Sequence, residues 1–322
     1  SPIAVDSSGD VGQYCSMKVL RSSGIPSDFY TVEVAYYDAT NARLKFISFD
    51  SLATSGFAPV VVDSGSVGQY CRLAYVTPAL NTTKRVIAYY DAGNQSLKLA
   101  KRGANATDPW YVETVLDDAS LDIGKYCDIT AGALLSSTVY LSFVNGGTRV
   151  GRAYTSAVNW TGTTTWTTTF YNAANTVDYT GIALSGANGV ISFRANSVLK
   201  VLKSSDSFVN VGIASTVDSN TNAGQNARIQ YVDSAFRICY VRNYQSGATV
   251  YKGVYFLSST DNGATWTKRT VVDSSFGAGG VGIPSLAFDG SRVYCTYSSM
   301  SGIISEPVAL VQAKSLDGGV TW

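Results

Sequence analysis

Val11-Gly12-Gln13-Tyr14-Cys15 recurs letter for letter as Val67-Gly68-Gln69-Tyr70-Cys71, and with two changes as Ile123-Gly124-Lys125-Tyr126-Cys127. Cys15, Cys71 and Cys127 are therefore spaced by 56 residues each time. Self-similarity at a fixed period of this size marks a repeat architecture. The 322 residues divide into six units of about 54 residues. In the first unit the motif opens an inner strand, Cys15 to Val19, followed by strands at Val32 to Tyr37, Arg43 to Phe49 and Pro59 to Val62. A polar turn, Asp38-Ala39-Thr40-Asn41, joins the second strand to the third. Apolar and polar residues alternate within these runs, the period of a strand.

The other units stay in phase. Ile87-Ala88-Tyr89-Tyr90-Asp91 copies Val34-Ala35-Tyr36-Tyr37-Asp38, and the second-strand phrase returns around Phe143, Phe193, Cys239 and Cys295. The inner-strand phrase returns at Asp178-Tyr179-Thr180, Gly224-Gln225-Asn226-Ala227 and Gly282-Ile283-Pro284. An aromatic closes the turn into the outer strand at Phe57, Trp110, Trp166, Trp266 and Trp322, with Phe208 the expected counterpart in the fourth unit and Trp160 outside the pattern. Residues 2–8 read like the outer strand Val271-Val272-Asp273-Ser274-Ser275, so the N-terminal strand is expected to close the last blade and protect its edge. These features predict an all-β fold. It is a six-bladed β-propeller with four antiparallel strands per blade, a single domain over 1–322, and a segment of a larger secreted or surface protein.

Composition narrows the partners. Lys and Arg number 24 against 23 Asp and Glu, a net charge of +1, which leaves no electrostatic footprint for nucleic acid or an anionic membrane. No apolar run is long enough for membrane insertion by a helix. The small polar and aromatic residues, with no histidine, suit an extracellular or cell-surface module, expected to be bacterial.

Two segments fit the Asp-box pattern Ser-x-Asp-x-Gly-x-x-Trp: Ser259, Asp261, Gly263 and Trp266, then Ser315, Asp317, Gly319 and Trp322. With them the chain resembles the sialidase-like propeller superfamily and its bacterial neuraminidase repeats. The resemblance implies that these boxes are structural turns, on the face opposite an active site. It also implies that catalysis would need three arginines for a substrate carboxylate, a Tyr nucleophile activated by Glu, and an Asp acid. The Phe/Tyr-Arg-Ile-Pro string of that superfamily is missing; Gly24-Ile25-Pro26 lacks its arginine, and Glu occurs only at 33, 113 and 306. On this reading no catalytic residue is assigned and sialidase activity is not expected.

The candidate ligand-binding residues are Arg194, Arg242, Tyr244, Tyr14, Tyr70, Tyr126 and Tyr179. The arginines follow second strands and the tyrosines stand at the starts of inner strands, where their faces could stack on sugar rings. Longer turns at Arg242 to Gly247 and Ser298 to Pro307 point to the last two units, since specificity usually lives in irregular loops on a rigid scaffold. The expected function is a non-enzymatic recognition module, an adhesin or receptor-binding tip for a cell-surface glycan or protein. The alternatives are an exo-glycosidase of the sialidase superfamily with displaced catalytic residues, and a structural spacer. No cofactor or metal is expected. The aspartates before the inner strands, Asp6, Asp10, Asp63, Asp117, Asp118, Asp122, Asp218 and Asp273, read as turn formers, with Ca²⁺ binding as the alternative. Cys239 and Cys295 are assigned one repeat slot, which makes them buried, free and too far apart for a disulfide.

Overall fold

In the computed structural model of the chain the described residues are 3–22, 28–118, 120–173, 176–220, 222–246, 249–267, 270–276, 282–299 and 309–322. They form 23 strands and no helix, arranged as the six antiparallel sheets of a six-bladed β-propeller. Blade 1 is β1 (Val11–Ser22), β2 (Phe29–Asp38), β3 (Arg43–Asp50) and β4 (Val60–Ser64); blade 2 is β5 (Val67–Ala79), β6 (Thr82–Asp91), β7 (Ser96–Arg102) and β8 (Tyr111–Leu116). Blade 3 is β9 (Ile123–Ala131), β10 (Val139–Asn145), β11 (Arg149–Thr155) and β12 (Thr167–Asn172). Blade 4 is β13 (Val177–Ser185), β14 (Asn188–Ala195), β15 (Val198–Ser204) and β16 (Ser215–Asp218). Blade 5 is β17 (Gln225–Val232), β18 (Ala235–Ser246), β19 (Thr249–Ser259) and β20 (Thr270–Phe276), and blade 6 is β21 (Ser285–Asp289), β22 (Arg292–Ser299) and β23 (Ala309–Ser315). Within every sheet the strands lie in chain order. Two compact units divide the chain: Ser1–Gly146 with Gly151–Tyr171, and Gly147–Val150 with Asn172–Trp322.

The repeated pentapeptide is a joint between blades. Gly68 has φ 107° and Gly124 has φ 106°, a region that L side chains rarely enter. A Cβ on Gly68 would stand 2.8 Å from Leu44 Cα, and one on Gly124 would stand 2.9 Å from Leu97 Cα. Glycine is required twice over, for its dihedral and for the closeness of the preceding blade. Two residues later Tyr14, Tyr70, Tyr126 and Tyr179 take left-handed φ values of 53 to 56°. Around them the pairing to the second strand shifts register, as between Gln69 and Arg72 on β5. The bulge turns the tyrosine carbonyl toward the next blade, where the Cys71 thiol donates to Tyr14 O at 3.1 Å and the Cys127 thiol to Tyr70 O at 3.2 Å.

The cores lie between sheets. Ala35, Leu44, Phe46 and Val62 of blade 1 pack with Cys71, Leu73, Ile87 and Tyr89 of blade 2. Equivalent clusters join blades 2 and 3, 4 and 5, and 5 and 6. Trp110, Trp166, Trp266 and Trp322 each pack against one of these clusters, which explains their recurrence at the turn into the outer strand. Two buried ion pairs reinforce unit 1. The Arg85 guanidinium forks onto Glu33, with Nη2 2.7 Å from Oε1, and Lys101 Nζ lies 2.7 Å from Glu113 Oε2. Glu113 also accepts from Thr164 N at 2.7 Å, tying down the loop between β11 and β12 that carries Trp160.

The Ser-x-Asp-x-Gly-x-x-Trp segments make turns of one geometry. Ser259 Oγ donates to Asp261 at 2.8 Å and accepts from Gly263 N at 2.9 Å, while Thr265 N donates to Asp261 at 2.8 Å. Ser315, Asp317, Gly319 and Thr321 repeat the set at 2.7, 2.8 and 2.9 Å. Blade 4 has the same turn unannounced by its sequence: Ser204 Oγ donates to Asp206 at 2.7 Å and Phe208 N donates to Ser204 Oγ at 2.8 Å. Phe208 thus fills the place of Gly263, at φ 62°, and not that of Trp266.

Among the described residues the sheet of blade 6 has three strands. In unit 1, residues 3–8 are fixed through Asp6, which accepts from Tyr36 OH at 2.6 Å and pairs with Lys45, as Asp63 at the end of β4 accepts from Tyr89 and Lys98. One further expectation needs correction. The turn expected over Arg242 to Gly247 is largely strand, because β18 and β19 stay paired out to Ser246 and Thr249. The other long turn falls mostly on 300–308, outside the described residues.

Candidate functional site

The Asp-containing turns of blades 4, 5 and 6 follow the third strands, at one end of those blades. The opposite end gathers the starts of the inner strands, the turns between second and third strands, and the ends of the fourth strands. It is there that titratable side chains collect, by a rule the repeat imposes. An aspartate at the end of one fourth strand receives a hydroxyl from a tyrosine of the next blade's second strand.

In unit 1, Asp63 accepts from Tyr89 OH at 2.6 Å and from Lys98 Nζ at 2.5 Å, and Lys98 also lies 3.8 Å from Asp91. Asp6, Tyr36, Lys45 and Asp38 repeat this arrangement in blade 1. Asp122 accepts from Tyr90 OH at 2.8 Å and from Lys125 Nζ at 2.5 Å. Burial, and then the bond to its aspartate, pushes the phenol of Tyr36, Tyr89 and Tyr90 well above its ordinary value. Burial alone would raise Asp6, but the bonds from Lys45, Tyr36 and Ser8 outweigh it and hold the carboxyl far below the usual range. The phenols thus hold their protons, and these tyrosines latch one strand to another.

Tyr14, Tyr70 and Tyr126 do come together. Their rings form a row, with centroids 4.7 Å apart for Tyr14 and Tyr70 and 4.6 Å for Tyr70 and Tyr126, tilted by 48 and 51°. The phenol of Tyr70 is raised by burial first and then by its two tyrosine neighbours.

In unit 2 the same end is built from arginine and aspartate. Asp178 on β13 stands opposite Arg194 on β14, and the guanidinium grips both carboxylate oxygens, Nε to Oδ1 at 2.6 Å and Nη2 to Oδ2. The Arg194 guanidinium also lies 5.0 Å from the centroid of the Tyr179 ring. Both side chains remain partly reachable, at 19% exposure for Arg194 and 14% for Asp178. Asp218 at the end of β16 is 1% exposed and accepts from Tyr240 OH at 2.7 Å and Asn220 Nδ2 at 2.6 Å. Arg242 on β18 lies over the Tyr255 ring at 4.4 Å, with Nη1 3.5 Å from Asp218. Arg242 is 8% exposed, and its Nε and Nη1 make no hydrogen bond. The side chain of Tyr244 lies outside the described residues.

Arg194 and Arg242 lie on the second strands of blades 4 and 5, and each stands beside an aspartate. For Asp218 the signal was present as an aspartate recurring at the end of the fourth strand, whose tyrosine partner lies 22 to 30 residues away in the next blade; Asp178 lies 16 residues before Arg194 in the same blade, with no such recurrence to mark it. Glu33 and Glu113 are consumed by Arg85 and Lys101, and Glu306 lies outside the described residues. Among the described residues no group of three or more His, Cys, Asp or Glu side chains is placed to hold a metal ion.

No known protein family and no curated protein matches the chain in sequence. Among solved structures it is similar to the NanB sialidase of Streptococcus pneumoniae, with a TM-score of 0.57 at 9% identity over 93% of this chain and 67% of that one. It is also similar to an α-L-arabinofuranosidase of Fusarium graminearum, solved with an iminosugar inhibitor and with arabinobiose, with a TM-score of 0.51 at 9% identity over 94% of this chain and 92% of that one. At such identity the likeness is one of fold. These relatives are glycosidases, a finding that overturns the expectation of a non-enzymatic recognition module and favours the glycosidase alternative. The expectation failed because it required one superfamily's catalytic string, and the propeller forms without that string.

Proposed function

We propose that this protein is a glycosidase, acting at the end of its blades opposite the Asp-containing turns. The observation that carries the reading is the shared fold: a sialidase and an arabinofuranosidase resemble the chain over nearly its whole length. Fold alone does not assign chemistry, so the reading also leans on the residues present. Most glycoside hydrolases use two carboxyl groups flanking the scissile bond, one giving a proton to the leaving oxygen and the other activating water or attacking the sugar, while sialidases replace the second with a tyrosine. With both described glutamates closed off, the carboxylates for this work are aspartates. Asp178 is the foremost, being reachable and fixed in orientation by the two-point grip of Arg194. Asp218 is the second, held beside Arg242 with Nη1 3.5 Å away. A sugar partner fits the extracellular or cell-surface setting that the composition suggests, with the Asp-box turns as scaffold.

The test is a panel of 4-methylumbelliferyl glycosides that includes the α-L-arabinofuranoside and the N-acetylneuraminic acid derivative, run beside the Asp178→Asn and Asp218→Asn variants. Release of fluorophore from at least one member, cut by a hundredfold or more in Asp178→Asn with folding intact by circular dichroism, is the expected result. Hydrolysis of no member, or full activity in Asp178→Asn, overturns the assignment.

A further inference from the structure

The sequence repeat puts Cys239 and Cys295 in one slot, and the structure places them one residue out of phase. Tyr240 OH donates to Asp218 and Tyr297 OH donates to Asp273, each at 2.7 Å, so Tyr240 and Tyr297 are equivalent. Cys239 precedes its tyrosine by one residue and Cys295 precedes its own by two. A one-residue offset moves a strand side chain to the opposite face of its sheet. Cys239 therefore faces blade 6 while Cys295 faces blade 5, and both sit in the cluster between those sheets with Val241, Val254, Phe256 and Val293.

Their sulfur atoms are 3.2 Å apart and both residues are 0% exposed. The two thiols are in hydrogen-bond contact, with either sulfur able to donate. A shift of about 1 Å would bring the sulfurs to the about 2.05 Å of a covalent bond. Cys71 and Cys127 offer a contrast, since their thiols are spent on backbone carbonyls of the preceding blade.

We propose that Cys239 and Cys295 are a disulfide site that staples blade 5 to blade 6. Bond formation removes two protons and two electrons from the thiols. A small-molecule disulfide such as oxidised glutathione accepts them: one cysteine thiolate attacks it, releasing one glutathione thiolate, and the second cysteine displaces the other glutathione from the mixed disulfide. Burial, and then the bond to Cys295, holds the Cys239 thiol well above its ordinary value. The exchange therefore belongs to folding, before the cluster closes, and not to the finished protein.

The experiment refolds the whole chain from denaturant in a glutathione redox buffer and, in parallel, under reducing conditions. Free thiols are then alkylated in denaturant and the chain is digested without reduction. The expected result is a linked peptide pair carrying Cys239 and Cys295, with Cys15, Cys71 and Cys127 alkylated and a melting temperature higher than the reduced form's by on the order of 5–10 °C. Cys239→Ser and Cys295→Ser should each abolish both the link and the shift, while Cys15→Ser keeps both. Because serine at a buried site lowers stability by itself, the decisive comparison is oxidised against reduced protein within each variant. Alkylation of all five cysteines after oxidative refolding, or a link through any other pair, overturns the proposal.

Discussion

Replacing Gly68 by alanine tests the claim that the repeated pentapeptide is a joint, because the same motif supplies its own control. Gly12 and Gly68 occupy one repeat position with φ values of 96 and 107°. Alanine at either pays for an unfavourable dihedral, of order 1–3 kcal/mol. Only Gly68 has a neighbour: its added Cβ would stand 2.8 Å from Leu44 Cα, 2.9 Å from Leu44 Cβ and 3.0 Å from Leu44 N, whereas Gly12 has nothing within 4 Å. Backbone cannot swing aside as a side-chain tip can, so β3 must move, an overpacking cost of about 1–3 kcal/mol. Gly12→Ala should thus cost about 1–3 kcal/mol and Gly68→Ala about 2–6 kcal/mol. Urea unfolding followed by tryptophan fluorescence reads the difference as a shift in midpoint at constant slope. Gly124→Ala, whose Cβ would be 2.9 Å from Leu97 Cα, should follow Gly68. Equal losses at Gly12 and Gly68 would refute the packing half of the argument and leave only the dihedral.

Other expectations are more compact. Tyr89→Phe removes the hydroxyl that Asp63 shares with Lys98 and should cost about 1–2 kcal/mol in the same urea assay; Phe143 and Phe193 already stand at that repeat position, and a neutral outcome would show that the latch carries nothing. Asp261 is lowered from 3.8 to about 2 by the Thr265 hydroxyl, then Thr265 N–H and Ser259, and Asp206 to about 2 by Asn210 N–H, then Ser204. A depressed carboxyl stabilises the fold above its unfolded value and loses that contribution as pH falls through the folded one, so stability should decline between about pH 4 and pH 2. Asp261→Asn should flatten that limb in an acid titration of the urea midpoint, and an unchanged slope would exclude the turn as its source. Burial raises the Cys71 thiol from 9.0 to about 12. The unfolded chain then ionises first, so stability should fall as pH rises from about 9 toward 12, and less so in Cys71→Ala; an identical alkaline limb in the two proteins would contradict this.

The strands, the six repeating units and the propeller were legible because a period of 56 residues and alternation within each run are local facts. So was the importance of the pentapeptide, whose glycine and tyrosine mark the bulge. The function of each repeat position was not legible, because it is set by what the neighbouring blade places opposite. Phe208 takes a glycine's place, Asp178 and Asp218 claim the two arginines, and two cysteines that look equivalent face each other. A strand's side chains change face with every residue, so one step of phase, invisible in a loosely repeating sequence, decides which groups meet. Only the packed sheets fix that phase.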